Sequence, residues 1–188
     1  MQSIFITGAA SGIGRATAKL FASRDWLVGL YDVDARGLQS LATEIGAYKC
    51  VTGALDVTDV DAFKRSVAAF GARTEGRMDA LFNCAGILRM GPFESVSPAD
   101  AHKEVAINVN GVYAALPSLE KTPKPIMVSM SSASAIYGTP DHYVYYATKF
   151  AVRGLTEAPE VEFRPKDIRV TDIMPGYVAG PRVDSQTH

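Results

Sequence analysis

Tyr145 and Lys149 stand four residues apart in the run Tyr145-Tyr146-Ala147-Thr148-Lys149. On a helix that spacing puts both on one face. An ammonium beside a phenol favours the phenolate and draws a tyrosine pKa down from ~10 toward the working range. A tyrosine so poised can give or take a proton at a carbonyl or carbinol oxygen. Tyr143 has no lysine at i+4, whereas Tyr146 has Lys149 at i+3, so spacing alone leaves Tyr146 open beside Tyr145.

A second group of residues can bind rather than react. Thr7-Gly8-Ala9-Ala10-Ser11-Gly12-Ile13-Gly14 follows an apolar run and opens a helical pattern, the setting of a phosphate-binding loop. Gly8 can take a turn closed to other residues, Gly12 lets backbone approach a pyrophosphate, and Gly14 allows close helix–strand packing. The helix start after Ser11 then offers unpaired N–H groups and the positive end of a dipole. Asp32 ends the next apolar run, 24 residues after Gly8. An acid there can accept both ribose hydroxyls of an adenosine and repels a 2′-phosphate, which favours NAD over NADP. Arg15 and Arg36 lie near enough in sequence to keep NADP as the lesser alternative.

These residues need a frame. Ile4-Phe5-Ile6 reads as a short buried strand, and Ile13, Ala16, Thr17 and Leu20 recur at helical spacing. Trp26–Tyr31 reads as a second strand. Leu38, Leu41, Ala42 and Ile45 form the next stripe, closed by Gly46. A strand over Tyr48–Gly53 follows, then a helix capped by Thr58 with Phe63, Val67 and Phe70 inward. Asp79–Phe82 is a fourth strand. Ser97-Pro98 starts a helix, with Val105, Val109 and Val112 continuing its inner face. Pro125–Met130 is a fifth strand, Tyr145–Phe163 a helix and Ile168–Ile173 a sixth strand. Strand–helix alternation implies an α/β chain with a doubly wound parallel sheet and helices on both faces.

Composition narrows the classes. With 188 residues, one domain can bury about 70% of its unfolded surface. The 19 basic and 20 acidic residues give a net charge of −1, which supplies no electrostatic footprint for nucleic acid or an anionic membrane. Cys50 and Cys84 are too few for a disulfide framework, so reduced thiols in a cytoplasmic setting are expected. No apolar run reaches ~18 residues, no signal peptide is expected at Met1-Gln2-Ser3, and no metal-ligand spacing joins His102, His142 and His188. No Gly-x-Ser-x-Gly elbow supports Ser–His–Asp chemistry.

Taken together, the glycine loop, Asp32 and the Tyr–Lys pair resemble the short-chain dehydrogenase/reductase family. Further matches fall in order. Asp56-Val57 is similar to the pair that contacts the adenine. Asn83-Cys84-Ala85-Gly86 resembles the family's Asn-Asn-Ala-Gly run. Asn108-Val109-Asn110-Gly111 resembles the motif that begins with its catalytic asparagine. Ser132 lies 13 residues before Tyr145, at the family's spacing for its catalytic serine. Ser129, Ser131 and Ser134 are its neighbours and competitors. Pro175-Gly176, followed by Val178, matches a turn beside the nicotinamide.

The resemblance implies a Rossmann-type domain over residues 1–188 and an oxidoreductase. It implies hydride transfer between a nicotinamide cofactor and a small-molecule secondary alcohol or ketone. Tyr145 is then the general acid/base, and Lys149 lowers its pKa and binds the nicotinamide ribose. Ser132 holds the substrate oxygen and Asn108 a relay water. Gly8, Ser11, Gly12, Ile13, Gly14, Asp32, Asp56, Val57, Asn83, Ala85, Gly86, Tyr145, Lys149, Pro175, Gly176 and Val178 bind the cofactor. It also implies a homo-oligomer paired through the Asn108 and Tyr145 helices.

Cys84 departs from the family's second asparagine. Pro159 falls inside the Tyr145 helix, where it removes a hydrogen bond or kinks the chain. Gly180 replaces a threonine that contacts the carboxamide. Family members usually continue through a substrate-covering segment and a last parallel strand, so the C-terminal segment reads as truncated at His188. From these departures follows a second reading, a catalytically impaired dinucleotide-binding scaffold or interaction protein.

Overall fold

The five residues of Ser3–Thr7 are buried on both sides, which suits a central strand with apolar layers above and below. This is β1. In the computed structural model, which describes residues 1–115, 122–138 and 140–178, five further strands join it. They are β2 (Leu27–Asp32), β3 (Cys50–Ala54), β4 (Ala80–Asn83), β5 (Ile126–Met130) and β6 (Arg169–Ile173). All pairings are parallel, in the order β3-β2-β1-β4-β5-β6. The chain reverses its direction of winding between β1 and β4, and a crevice at the carboxyl ends of these strands is where such sheets take ligands. The expected doubly wound, six-stranded Rossmann-type sheet is therefore present.

Two apolar layers hold it. One packs Ile4, Ile6, Val28, Leu30 and Phe82 under α1 (Gly12–Ser23) and α2 (Ala35–Ile45). The other packs Phe5, Tyr31, Leu81 and Met127 with Phe63 and Phe70 of α3 (Val60–Thr74). Phe5 stacks on Tyr31 at 4.1 Å between ring centroids. The remaining helices are α4 (Pro98–Val105), α5 (Gly111–Ala115) and α6 (Tyr143–Phe163), with a π-helical stretch over Ala106–Asn110 joining α4 to α5. Among the described residues no helix is long and apolar enough to cross a membrane.

Several local expectations need correction. In α1 the buried positions are Gly14, Ala18 and Ala22, while Leu20 is exposed. Small side chains let the helix lie close to the sheet, so the apolar stripe does not mark the inner face. Asp59, not Thr58, caps α3, accepting the Ala62 N–H at 2.9 Å. Thr58 is already held by Asp56 Oδ1, which accepts its N–H at 2.9 Å and its hydroxyl at 2.7 Å. The third strand starts at Cys50, because Ala47–Lys49 form a 3₁₀ turn after Gly46. In the helix after Ser97, Glu104, Asn108 and Val112 are buried and Val105 is exposed. The Tyr145 helix begins two residues earlier than expected and runs through Pro159, ten residues beyond Lys149. Gly180 and His188 lie outside the described residues.

Candidate active site

Two loops meet at the carboxyl ends of β1 and β4. Thr7 ends β1 and its Oγ1 accepts the N–H groups of Cys84 and Ala85, each at 3.2 Å. The contact is close enough to require glycine: a Cβ on Gly8 would come 2.8 Å from the Ala85 backbone, and Gly8 has a φ of +70°. A Cβ on Gly14 would lie 2.1 Å from the Gly8 carbonyl oxygen, so α1 is seated directly on this turn. Gly12 is different. Its φ is +51° and nothing lies within 4 Å of an added Cβ. Ser11 caps α1 with its backbone and makes no side-chain cap hydrogen bond, and no acid occupies the first turn. Ile13 packs against the core layer beneath α1. The loop thus presents open space and unpaired helix N–H groups to an anion.

At the same edge, Asp32 ends β2. Its Oδ2 accepts the Ala10 N–H and its Oδ1 the Asp34 N–H, each at 3.0 Å. The carboxylate is thereby fixed beside the glycine loop. Arg15 donates to Glu44 at 2.8 Å and to the Gly37 carbonyl at 3.3 Å. Arg36 is exposed. Asp56 is exposed and engaged with Thr58, and Val57 is buried, its Cγ2 lying 2.7 Å from where a Cβ on Gly111 would sit.

A second cluster gathers around Lys149, which is 3% exposed. Its Nζ donates to the Met130 carbonyl at 2.7 Å and lies 5.4 Å from the Tyr145 ring centroid. Gly86 faces the same point: an added Cβ would lie 3.1 Å from Asn108 Oδ1 and 3.8 Å from Lys149 Nζ. Asn108, buried in the π-helical stretch, exchanges two hydrogen bonds with Ile87, accepting its N–H at 2.8 Å and donating to its carbonyl at 2.9 Å. Nδ2 also donates to Thr148 Oγ1 at 3.1 Å, and Thr148 donates to the Tyr145 carbonyl at 2.7 Å. Asn108 therefore joins the loop after β4 to the helix that carries Tyr145 and Lys149.

The neighbouring tyrosines and serines separate by their partners. Tyr143 donates its hydroxyl to the Gly91 carbonyl at 3.0 Å, and Tyr146 packs edge-on against His142. Ser129 is fully buried, and Ser131 donates to the Lys149 carbonyl at 3.3 Å. Ser132, 8% exposed, is more accessible than Ser129 and Ser131 and accepts the N–H of Ser134, which is more exposed still, at 3.1 Å. The Pro175 carbonyl accepts the Ala133 N–H at 3.0 Å, which ties the Pro175-Gly176 turn to the Ser132 loop. Among the described residues nothing lies within 4 Å of an added Cβ on Gly176, and Val178 is exposed.

These residues fit a dinucleotide. Gly12 leaves open space after β1 among the described residues, and Asp32 stands beside the loop. Asn83 places a buried amide there whose Oδ1 and Nδ2 find no partner among the described residues. Among those residues no group of three His, Cys, Asp or Glu is placed to hold a metal ion.

Sequence reasoning missed Thr148, which links Asn108 to Tyr145, and Glu104, which is wholly buried one turn before Asn108. The signal for Glu104 was its i−4 spacing from Asn108, outweighed by the valines beside it.

A family model described as short chain dehydrogenase matches residues 2–188. Oxidoreductase UcpA of Salmonella typhimurium is 35% identical over 191 residues, covering 98% of this chain and 72% of that protein. The 2-keto-3-deoxy-L-fuconate dehydrogenase of Xanthomonas campestris pv. campestris is 37% identical over 181 residues, 94% of this chain and 58% of that protein. The crystal structure of 3-ketoacyl-(acyl-carrier-protein) reductase from Brucella melitensis complexed with NADH is similar at a TM-score of 0.91 and 28% identity, covering 97% of this chain and 78% of that one. With the glycine loop, the Tyr145–Lys149 pair and a family match over nearly its whole length, the chain belongs to the short-chain dehydrogenase family.

Proposed function

We propose that this oxidoreductase interconverts a small secondary alcohol and its ketone, using NAD in preference to NADP. The observation that carries the reading is the meeting of Lys149 Nζ, the Tyr145 ring and Asn108 beside Gly86. Tyr145 gives a proton to the carbonyl oxygen in reduction and takes it back in oxidation. Lys149, held by the Met130 carbonyl, favours the phenolate form. Ser132 donates its hydroxyl to the same substrate oxygen. The Asn108 amide is committed to Ile87 and Thr148, so a relay water is held by its remaining acceptors, the second lone pair of Oδ1 or the main-chain carbonyl.

The bound nicotinamide supplies or accepts the hydride. Its pyrophosphate is held by Gly8, Ser11, Gly12, Ile13 and Gly14, its adenosine ribose by Asp32 and its adenine by Asp56 and Val57. Its nicotinamide end is held by Asn83, Ala85, Gly86, Tyr145, Lys149, Pro175, Gly176 and Val178. Asp32 beside the loop and Arg15 turned to Glu44 support NAD. Relatives named as a dehydrogenase of 2-keto-3-deoxy-L-fuconate and a 3-ketoacyl reductase support an alcohol or carbonyl substrate. Val105, Tyr113, Phe150 and Val161 are exposed on α4 to α6, which supports a homo-oligomer. A cytoplasmic setting, with Cys50 and Cys84 as thiols, belongs to the same reading.

The test is a titration with NADH and NADPH, followed by turnover on a panel of secondary alcohols and ketones. Tight NADH binding with turnover is expected. Binding without turnover on the panel contradicts the enzyme reading and favours the scaffold.

A further inference from the structure

Glu104 is the one acid among the described residues with no exposed surface. It lies in the last turn of α4, one turn before Asn108, and both side chains face the extended segment that follows β4. Asn108 takes both backbone groups of Ile87, and Glu104 Oε1 accepts the N–H of Arg89 at 3.2 Å. The segment is fastened again two residues on. The Gly91 N–H donates to the Asp141 carbonyl and the Gly91 carbonyl accepts the Tyr143 hydroxyl, each at 3.0 Å. Residues 86–91 thus run as a strap from Lys149 and Asn108 to the first turn of the Tyr145 helix.

A buried carboxyl is an odd choice for a packing position. An aliphatic side chain would fill the space and leave no orphan, whereas Glu104 Oε2 is buried without a partner among the described residues. What the carboxyl adds is an acceptor for Arg89 at the middle of the strap. Burial pushes the Glu104 carboxyl above its ordinary pKa. The Arg89 N–H and the charges of Arg89, Lys149 and His142 oppose that rise. The groups that face it therefore come from the strap, from α6 and from the residue capping α6, while Asp100, His102 and Lys103 share its own helix.

We propose that Glu104 is a positioning residue for the reaction: with Asn108 it clamps the 86–91 strap, and so holds Gly86 and the start of the Tyr145 helix in register. This rests on the oxidoreductase reading above. The test compares the full chain with Glu104→Gln, which keeps an acceptor, and Glu104→Leu, which keeps volume alone. Backbone hydrogen exchange, NADH titration and steady-state kinetics are read on each.

In Glu104→Leu the Arg89 amide should exchange at least about tenfold faster, with the sheet unchanged. Its kcat should fall at least about tenfold, and its NADH affinity should fall by a smaller factor than kcat. Glu104→Gln should restore both strap protection and kcat. Wild-type protection and kcat in Glu104→Leu would overturn the proposal, as would a Gln variant as impaired as the Leu variant. Should Glu104→Leu fail to fold, Glu104→Met replaces it with the same expectations. Absence of turnover in the wild type would contradict the oxidoreductase reading, while the exchange comparison would still decide whether Glu104 holds the strap.

Discussion

Lys149 Nζ lies 5.4 Å from the centroid of the Tyr145 ring, anchored at 2.7 Å on the carbonyl of Met130. The lysine is buried, and its own carbonyl accepts the Ser131 hydroxyl. Its charge is therefore held in one place, where salt screens it little. Replacing it by methionine keeps the stem and removes the charge. We expect Lys149→Met to lower kcat/KM by about 10²-fold or more, and to move the rise of alcohol oxidation with pH upward. A pH–rate profile checks this; an unchanged profile with full activity contradicts it.

Asp32 is fixed by the Ala10 and Asp34 N–H groups beside the glycine loop, and Arg15 is engaged with Glu44. Wild type should therefore bind NADH more tightly than NADPH. Asp32→Ser should narrow the preference by at least about tenfold, or about 1.4 kcal/mol. Fluorescence titration with both cofactors measures it. Tighter NADPH binding by the wild type would refute the assignment of Asp32.

Two glycines of the loop should fail in different ways. A Cβ on Gly14 meets the Gly8 carbonyl at 2.1 Å, so Gly14→Ala should destabilise the fold by about 1–3 kcal/mol or more. A Cβ on Gly12 meets nothing, but its φ of +51° makes Gly12→Ala lose about 1–2 kcal/mol of stability. The larger effect at Gly12 should be on NADH affinity, at least about tenfold weaker. Denaturant unfolding and NADH titration on the same two variants separate the roles.

Two carboxyls should give opposite pH dependences of stability. Burial pushes Asp79 up, but the hydrogen bonds from Arg77 and Ser3 together hold it below its ordinary value. Its stabilisation is present above an unfolded value of ~3.9 and is lost as pH falls through the lower folded value. Glu104 is raised, chiefly by burial. Its contribution is fully present below an unfolded value of ~4.3 and is lost as pH rises through the folded value. Relative to wild type, Asp79→Asn should thus lose its deficit in acid, and Glu104→Gln should gain as pH rises. Unfolding midpoints over a pH series decide both signs.

The larger frame was legible because β1, β2, β4 and β5 are short, largely apolar runs separated by helical stretches. The stripe Leu38, Leu41, Ala42 and Ile45 faces the core layer as expected, with Ile45 partly buried, and the cap Ser97 accepts the Asp100 N–H as expected. What was not legible depended on contacts distant in sequence or on competition between near equals. Thr58 and Asp59 can both cap a helix, and only the capture of Thr58 by Asp56 decides between them. Leu20 belongs to the apolar stripe of α1, but Gly14, Ala18 and Ala22 form the face that lets α1 approach the sheet. The π-helical stretch over Ala106–Asn110 has no apolar period of its own. It places Asn108 against Ile87 and Thr148, and Val105 outside, through polar contacts that no stripe announces.

The most direct measurement is turnover of Tyr145→Phe beside its NADH affinity. The ring and its place beside Lys149 remain, and only the hydroxyl is removed. The account predicts NADH binding within about threefold of wild type and a kcat lower by at least about 10²-fold. A Tyr145→Phe variant with wild-type kcat would contradict it.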